Sequence, residues 1–216
     1  YLSNTTEIGT QYTLAELENL SAFCKQKGLY LFLDGARLGA ALTSSINDLT
    51  MADIARLTDV FYIGGTKNGA LFGEALVIAN PELKPDFRFL IKQKGAMLAK
   101  GFLLGIQFEE LFQNDLFYQM ASHANEMAMI LKKTFTECGF PFFSESATNQ
   151  QFPILPNNLI AALRESYQFQ DQQAVDAAHT AVRFVTSWAT KEEAVKQFAA
   201  DFKTLAKKTC TILPTS

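Results

Sequence analysis

Cysteine is scarce: Cys24, Cys138 and Cys210 lie far apart, are odd in number and lack the paired spacing of a structural zinc site. Neither a disulfide framework nor a metal knuckle therefore organises this chain, and the three read as reduced thiols of a cytoplasmic protein. An excess of one charge is lacking too. The 19 Lys and Arg against 22 Asp and Glu leave a formal charge of -3. That balance gives no electrostatic reason to expect nucleic acid or an anionic membrane as partner. No apolar stretch approaches the roughly 20 residues of a membrane helix, and the start lacks the charged-then-apolar pattern of a secretory signal. Internal repeats and low-complexity tracts are missing as well.

What is present suits a folded α/β chain. With 48% hydrophobic residues over 216 positions, there is material for one sizeable core or two modest ones. Thr13 and Glu16 have capping-box spacing, Leu14, Leu17, Leu20 and Cys24 recur on one helical face, and Gly28 supplies a stop. The run from Leu29 to Leu33 is apolar at consecutive positions, which predicts a strand covered by helices on both faces. Met51 to Leu57 reads as a short helix, Val60 to Ile63 and Ala75 to Ala79 as buried strands, and Pro85 to Gly101 as a basic, irregular segment. Two long helices follow, Leu103 to Phe112 and Asn114 to Cys138. The second carries a Leu, Met and Phe stripe that reads as ordinary core, and its His123 reads as a packing or hydrogen-bonding residue.

Beyond Gly139 the pattern becomes short strands, Phe140 to Phe143, Gln151 to Leu155, Tyr167 to Gln170 and Ala181 to Ser187, with helices near Asn158 to Glu165 and from Lys191 to about Lys207. Thr190 and Glu193 have capping-box spacing before the last helix. This predicts an α/β domain over residues 1–112 and a small α+β domain over residues 113–216.

Two of the predicted strands end in chemistry. Leu29 to Leu33 runs into Asp34-Gly35-Ala36-Arg37, and Val60 to Ile63 runs into Gly64-Gly65-Thr66-Lys67-Asn68-Gly69. Taken alone, an Asp before Gly is a turn or cap residue and a Lys in a glycine-rich turn is a solvated charge. At the carboxyl edge of one open sheet, where such sheets bind ligands, the pair can divide the work of holding an aldehyde cofactor.

The runs Leu33-Asp34-Gly35-Ala36-Arg37-Leu38-Gly39 and Thr58-Asp59-Val60-Phe61-Tyr62-Ile63-Gly64-Gly65-Thr66-Lys67-Asn68-Gly69 closely resemble the threonine aldolase group of the β-eliminating lyase family. Ser3-Asn4-Thr5-Thr6-Glu7-Ile8-Gly9-Thr10 and Val182-Arg183-Phe184-Val185-Thr186-Ser187-Trp188 also look like that group, in the same order.

The resemblance implies the carboxyl-terminal part of a fold type I large domain with a mostly parallel sheet, an antiparallel neighbour for the strand at Ala75 to Ala79, and the small α+β domain. It implies pyridoxal 5'-phosphate as cofactor, with Lys67 on its aldehyde, Asp34 on its pyridine nitrogen, and Arg37, Thr66 and Lys94 as further cofactor contacts. Arg37 and Arg183 would grip the α-carboxylate of a small amino-acid substrate, since a guanidinium fork bonds a carboxylate twice.

Thr6 stands where many of these enzymes carry His, near the substrate hydroxyl. The resembling enzymes also carry a phosphate-binding turn and a ring-stacking aromatic upstream of the equivalent of Tyr1, so the chain reads as a carboxyl-terminal fragment, and they assemble as homodimers or homotetramers. The activity implied is cleavage of threonine or allo-threonine to glycine and an aldehyde; β-elimination of another amino acid, and a catalytically silent fragment, are the alternatives.

Overall fold

The computed structural model describes residues 1–210, without the side chains of the last two. The chain divides into two compact units, one of Tyr1–Glu7 with Gln11–Ser122, the other of Ile8–Thr10 with the chain from His123 onward. The boundary expected near residue 112 lies at the end of helix α5 (Phe102–Phe112), and the units part inside helix α6 (Leu116–Glu137).

The first unit is built on a four-stranded sheet of β1 (Leu2–Ser3), β2 (Phe32–Asp34), β3 (Val60–Gly64) and β4 (Glu74–Ile78), in that order. β1, β2 and β3 are parallel and β4 is antiparallel to β3, so the sheet is mixed, as the resemblance implied. Parallel neighbours place the carboxyl ends of β1, β2 and β3 on one edge.

Helix α1 (Leu14–Gln26) begins with the expected capping box: Glu16 N–H donates to Thr13 Oγ1 at 3.3 Å, and Thr13 N–H to Glu16 Oε2 at 2.9 Å. It ends at Gly28, whose φ of 64° lets Leu29 N–H return to the Cys24 carbonyl at 2.9 Å. Helix α3 (Met51–Leu57) uses the same device through Thr50 and Asp53. Between them lies the short α2 (Leu38–Leu42). Leu17, Ile54 and Leu57 from the helices meet Leu33, Phe61 and Ile63 from the strands in one buried cluster.

Two expectations are corrected here. Burial along the strands alternates: Leu31, Leu33, Phe61 and Ile63 are buried, while Phe32, Val60 and Tyr62 on the other face are half-buried. The consecutive apolar run thus marks one helix-covered face and one aromatic face, where the Phe32 ring stacks on Tyr1 and leans on Tyr62. Likewise the basic segment is not wholly irregular, because Phe87–Gln93 forms helix α4. Its apolar residues Phe89 and Leu90 are exposed, which hid the usual one-sided pattern.

In the second unit, β5 (Gln150–Gln151), β6 (Ile154–Pro156) and β7 (Gln170–Ala174) all pair antiparallel with β8 (His179–Val185). β7 begins where the sequence placed a strand's end, at Gln170. Helices α7 (Asn157–Arg164) and α8 (Glu192–Cys210) complete it.

Fully buried Phe135 from α6 has the rings of Phe142, Phe184, Phe198 and Phe202 around it, at centroid distances of 4.9 to 6.3 Å. Edge and tilted contacts of this kind add to the burial of each ring. The Thr190 hydroxyl accepts Ser187 N–H at 2.8 Å and closes the turn before α8, which itself starts at Glu192. His123 bonds the Thr190 carbonyl through Nε2 at 2.7 Å, so that nitrogen carries the proton. Cys24 and Cys138 are in no disulfide, and the Cys210 side chain lies outside the described residues. Among the described residues no helix is long and apolar enough to cross a membrane.

Candidate active site

The turns after β2 and β3 approach each other more closely than side chains would permit. Gly64 N–H donates to the Gly35 carbonyl at 2.9 Å. A Cβ on Gly35 would lie 1.9 Å from the Tyr62 carbonyl oxygen, and one on Gly64 would lie 2.3 Å from that of Ala36. Only glycine fits at either position. The register Leu33↔Phe61 then carries Asp34 and Tyr62 to the same level on one face of the sheet.

Asp34 is half-buried at the end of β2. Its Oδ1 accepts the Tyr62 hydroxyl and, at 3.0 Å, the Ala36 N–H; its Oδ2 accepts the Tyr1 hydroxyl. Burial pushes the carboxyl upward, but the two phenols, the Ala36 amide and the nearby Lys67 ammonium outweigh it and hold the group below the ordinary carboxylate range. The phenols respond in the opposite sense. Burial and the bond to Asp34 raise Tyr62, and the bond to Asp34 raises Tyr1.

Lys67 is exposed in the turn that follows β3, within electrostatic reach of Asp34. The turn is anchored at both sides of it. Glu74 accepts Gly65 N–H at 2.6 Å and the Thr66 hydroxyl at 3.1 Å, while buried Asn68 donates to the Phe117 carbonyl at 2.9 Å. Lys67 therefore stands on an anchored backbone with its side chain exposed.

The other expected site residues distribute as follows. Arg37, half-buried, precedes α2 on the same turn as Asp34. Thr6 follows β1, two residues beyond Asn4, whose N–H donates to the Asp34 carbonyl at 3.1 Å. Asn4 is 1% exposed, and its amide atoms have no hydrogen-bond partner among the described residues. Lys94 is the exposed residue that closes α4, and no interaction among the described residues ties it to Asp34 or Lys67. Arg183 belongs to the second unit, on β8, where its Nη2 donates to Gln170 Oε1 and its buried Nε has no partner among the described residues.

Sequence reasoning missed Tyr1, Tyr62, Glu74 and Asn68. Tyr62 had a legible signal in its odd-even position, two residues before the glycine turn and across from Asp34. Glu74 had none, since its partners lie across a hairpin.

Asp34 also yields a pH dependence with a definite sign. Its folded value lies below the unfolded value of about 3.9, so the stability it contributes is complete above that value and is lost as pH falls through the folded one. Urea unfolding at pH 7 and pH 3 should show a smaller acid loss for Asp34→Asn than for the wild type; equal losses would mean that Asp34 titrates normally.

Known proteins resemble this chain over most of its length. The family pattern described as Beta-eliminating lyase matches residues 1–157. A low specificity L-threonine aldolase of Pseudomonas aeruginosa is 33% identical over 204 residues, covering 94% of this chain and 58% of that protein. One from a Pseudomonas species is 32% identical over 206 residues, with the same coverages. The chain thus spans 58% of the length of these curated relatives. The solved threonine aldolase of Leishmania major superposes with a TM-score of 0.92 at 54% identity, over 95% of this chain and 61% of that one. A serine palmitoyltransferase of Sphingomonas wittichii shares the fold alone, with a TM-score of 0.70 at 15% identity.

Proposed function

The chain belongs to the β-eliminating lyase family, and on that premise we propose that it serves an enzyme which cleaves a β-hydroxy-α-amino acid, threonine or allo-threonine, to glycine and an aldehyde with pyridoxal 5'-phosphate as cofactor. The observation that carries this reading is the pairing of an ionised Asp34 with Lys67 on the carboxyl edge of two adjacent parallel strands. The donor set fits the cofactor: a carboxylate kept ionised suits a protonated pyridine nitrogen, and an exposed primary amine on an anchored turn suits an aldehyde carbon. When bound, pyridoxal 5'-phosphate supplies the electron sink that makes a bond to Cα breakable.

The chain's own residues have separate tasks. Lys67 would hold the aldehyde end, and Asp34 would hold the proton on the ring nitrogen. Arg37 would take the substrate α-carboxylate; Arg183 of the second unit is proposed for substrate binding too, and its buried Nε, without a partner among the described residues, is a donor suited to an anion. Thr66 and Lys94 would serve the phosphate. Cleavage breaks the Cα–Cβ bond, removes the β-hydroxyl proton and returns one proton to Cα, which balances as glycine plus aldehyde. Thr6 can hydrogen-bond that hydroxyl but is no base at neutral pH, so the proton leaves to another acceptor.

The same reading extends to assembly and compartment. Leu71, Phe89, Leu98 and Phe102 of the first unit are 57 to 87% exposed, and large apolar side chains left in solvent suit burial against a partner. We expect a homodimer or homotetramer, and light scattering that finds only a monomer contradicts this. Cys24 and Cys138, which are in no disulfide, suit the cytoplasm.

Product analysis is the direct test of the reaction. Incubation with threonine and allo-threonine should release glycine, and Lys67→Ala should reduce the rate to background. Ammonia and a keto acid would identify elimination instead, and no turnover of either kind by the full-length protein would defeat the enzyme reading.

A further inference from the structure

We propose that Tyr62 is a positioning residue for Asp34, its hydroxyl pinning Oδ1 so that Oδ2 of the same carboxylate is presented to a cationic partner. The identity of that partner, a protonated ring nitrogen, rests on the function proposed above; the hold of Tyr62 on Asp34 does not.

The two carboxylate oxygens are held unequally. Oδ1 receives two donors, the Tyr62 hydroxyl and the Ala36 N–H, and both come from backbone fixed by the close glycine contact between the turns. Oδ2 receives one donor among the described residues, the hydroxyl of Tyr1, a residue 79% exposed whose ring lies flat on Phe32 at 5.7 Å. A ligand can displace an exposed phenol at little cost, whereas Tyr62 is held by its strand and by contact with Phe32 at 6.2 Å. Two fixed donors on one oxygen set the plane of the carboxylate and leave the other oxygen to the ligand.

A phenol suits this task. Burial and the charge of Asp34 keep Tyr62 protonated well above the pH at which a free tyrosine ionises, so it donates throughout the working range. The charged and titratable groups that act on this cluster are few: Tyr1, Tyr62 and Lys67 on Asp34, Tyr1 and Glu74 on Tyr62, and Glu7 on Tyr1, beside Asp34 itself on both phenols. Lys67 lowers Asp34 in the same direction as Tyr62, but by charge at a distance, so salt screens its share and not the share of the bond.

The test follows Asp34 by carboxyl-carbon NMR in the wild-type chain, Tyr62→Phe and Tyr1→Phe at high salt, with pyridoxal 5'-phosphate affinity measured in parallel. Tyr62→Phe should raise the Asp34 midpoint and weaken cofactor binding about tenfold, the weight of one hydrogen bond to a charged group. Tyr1→Phe should leave binding unchanged or tighter. An unmoved Asp34 midpoint in folded Tyr62→Phe overturns the proposal.

If that variant does not fold, the Tyr62 phenol of the wild type reads the same bond from its other end, and an ordinary phenol titration overturns it equally. A wild-type chain that binds no cofactor would defeat the cofactor reading, while the Asp34 midpoint would still decide the role of Tyr62.

Discussion

One backbone contact organises the candidate site: Gly64 N–H to the Gly35 carbonyl at 2.9 Å. It exists because neither residue has a Cβ, and it draws the turn after β2 against the end of β3. Every feature that gives the edge its chemistry depends on that approach. Asp34 comes level with Tyr62, Lys67 comes within the field of Asp34, and the Ala36 amide can turn back on the carboxylate. A methyl group at Gly35 would collide with main chain, which cannot rotate away as a side chain can. The glycines of this region therefore serve geometry before they serve any ligand.

The electrostatics follow from the packing. A half-buried carboxylate would ordinarily be raised by desolvation, and here three hydrogen bonds and a neighbouring ammonium reverse the sign. The reversal matters chemically, because a carboxylate must be ionised to stabilise a cation beside it. Lys67 has the complementary arrangement. Its turn is anchored through Glu74 on one side and Asn68 on the other, while its amine stays in solvent where it can react. A fixed acid and a reachable amine at the ends of neighbouring strands fit the chemistry proposed for this part of the chain.

Much of this arrangement was legible in the residues. The Thr13–Glu16 capping box, the Gly28 stop and the strands ending at Asp34 and before Lys67 come from local rules, and local rules survive folding; the Thr50–Asp53 box went unread. The mixed sheet came from resemblance, not periodicity. What escaped has common physical causes. The aromatic face of the sheet looked like a second buried face because Phe32 and Tyr62 are apolar in bulk, although the Phe32 ring stacks on Tyr1 and tilts against Tyr62, whose hydroxyl is polar. Helix α4 escaped because it exposes Phe89 and Leu90 and so shows no helical stripe. Tyr62 and Glu74 escaped because their roles arise from strand register and a hairpin, which join residues distant in sequence. Arg183 is the reverse case: resemblance assigned its role, and the structure adds that its Nε is buried without a partner among the described residues.

The central claim is that Asp34 and Lys67 form a site for an aldehyde cofactor, and chemical trapping tests it most directly. The purified chain is mixed with pyridoxal 5'-phosphate, reduced with borohydride, digested and mapped by mass spectrometry. The label should fall selectively on Lys67 and be lost in Lys67→Ala. Absence of label, or label spread over exposed lysines such as Lys92, Lys94 and Lys100, would contradict it.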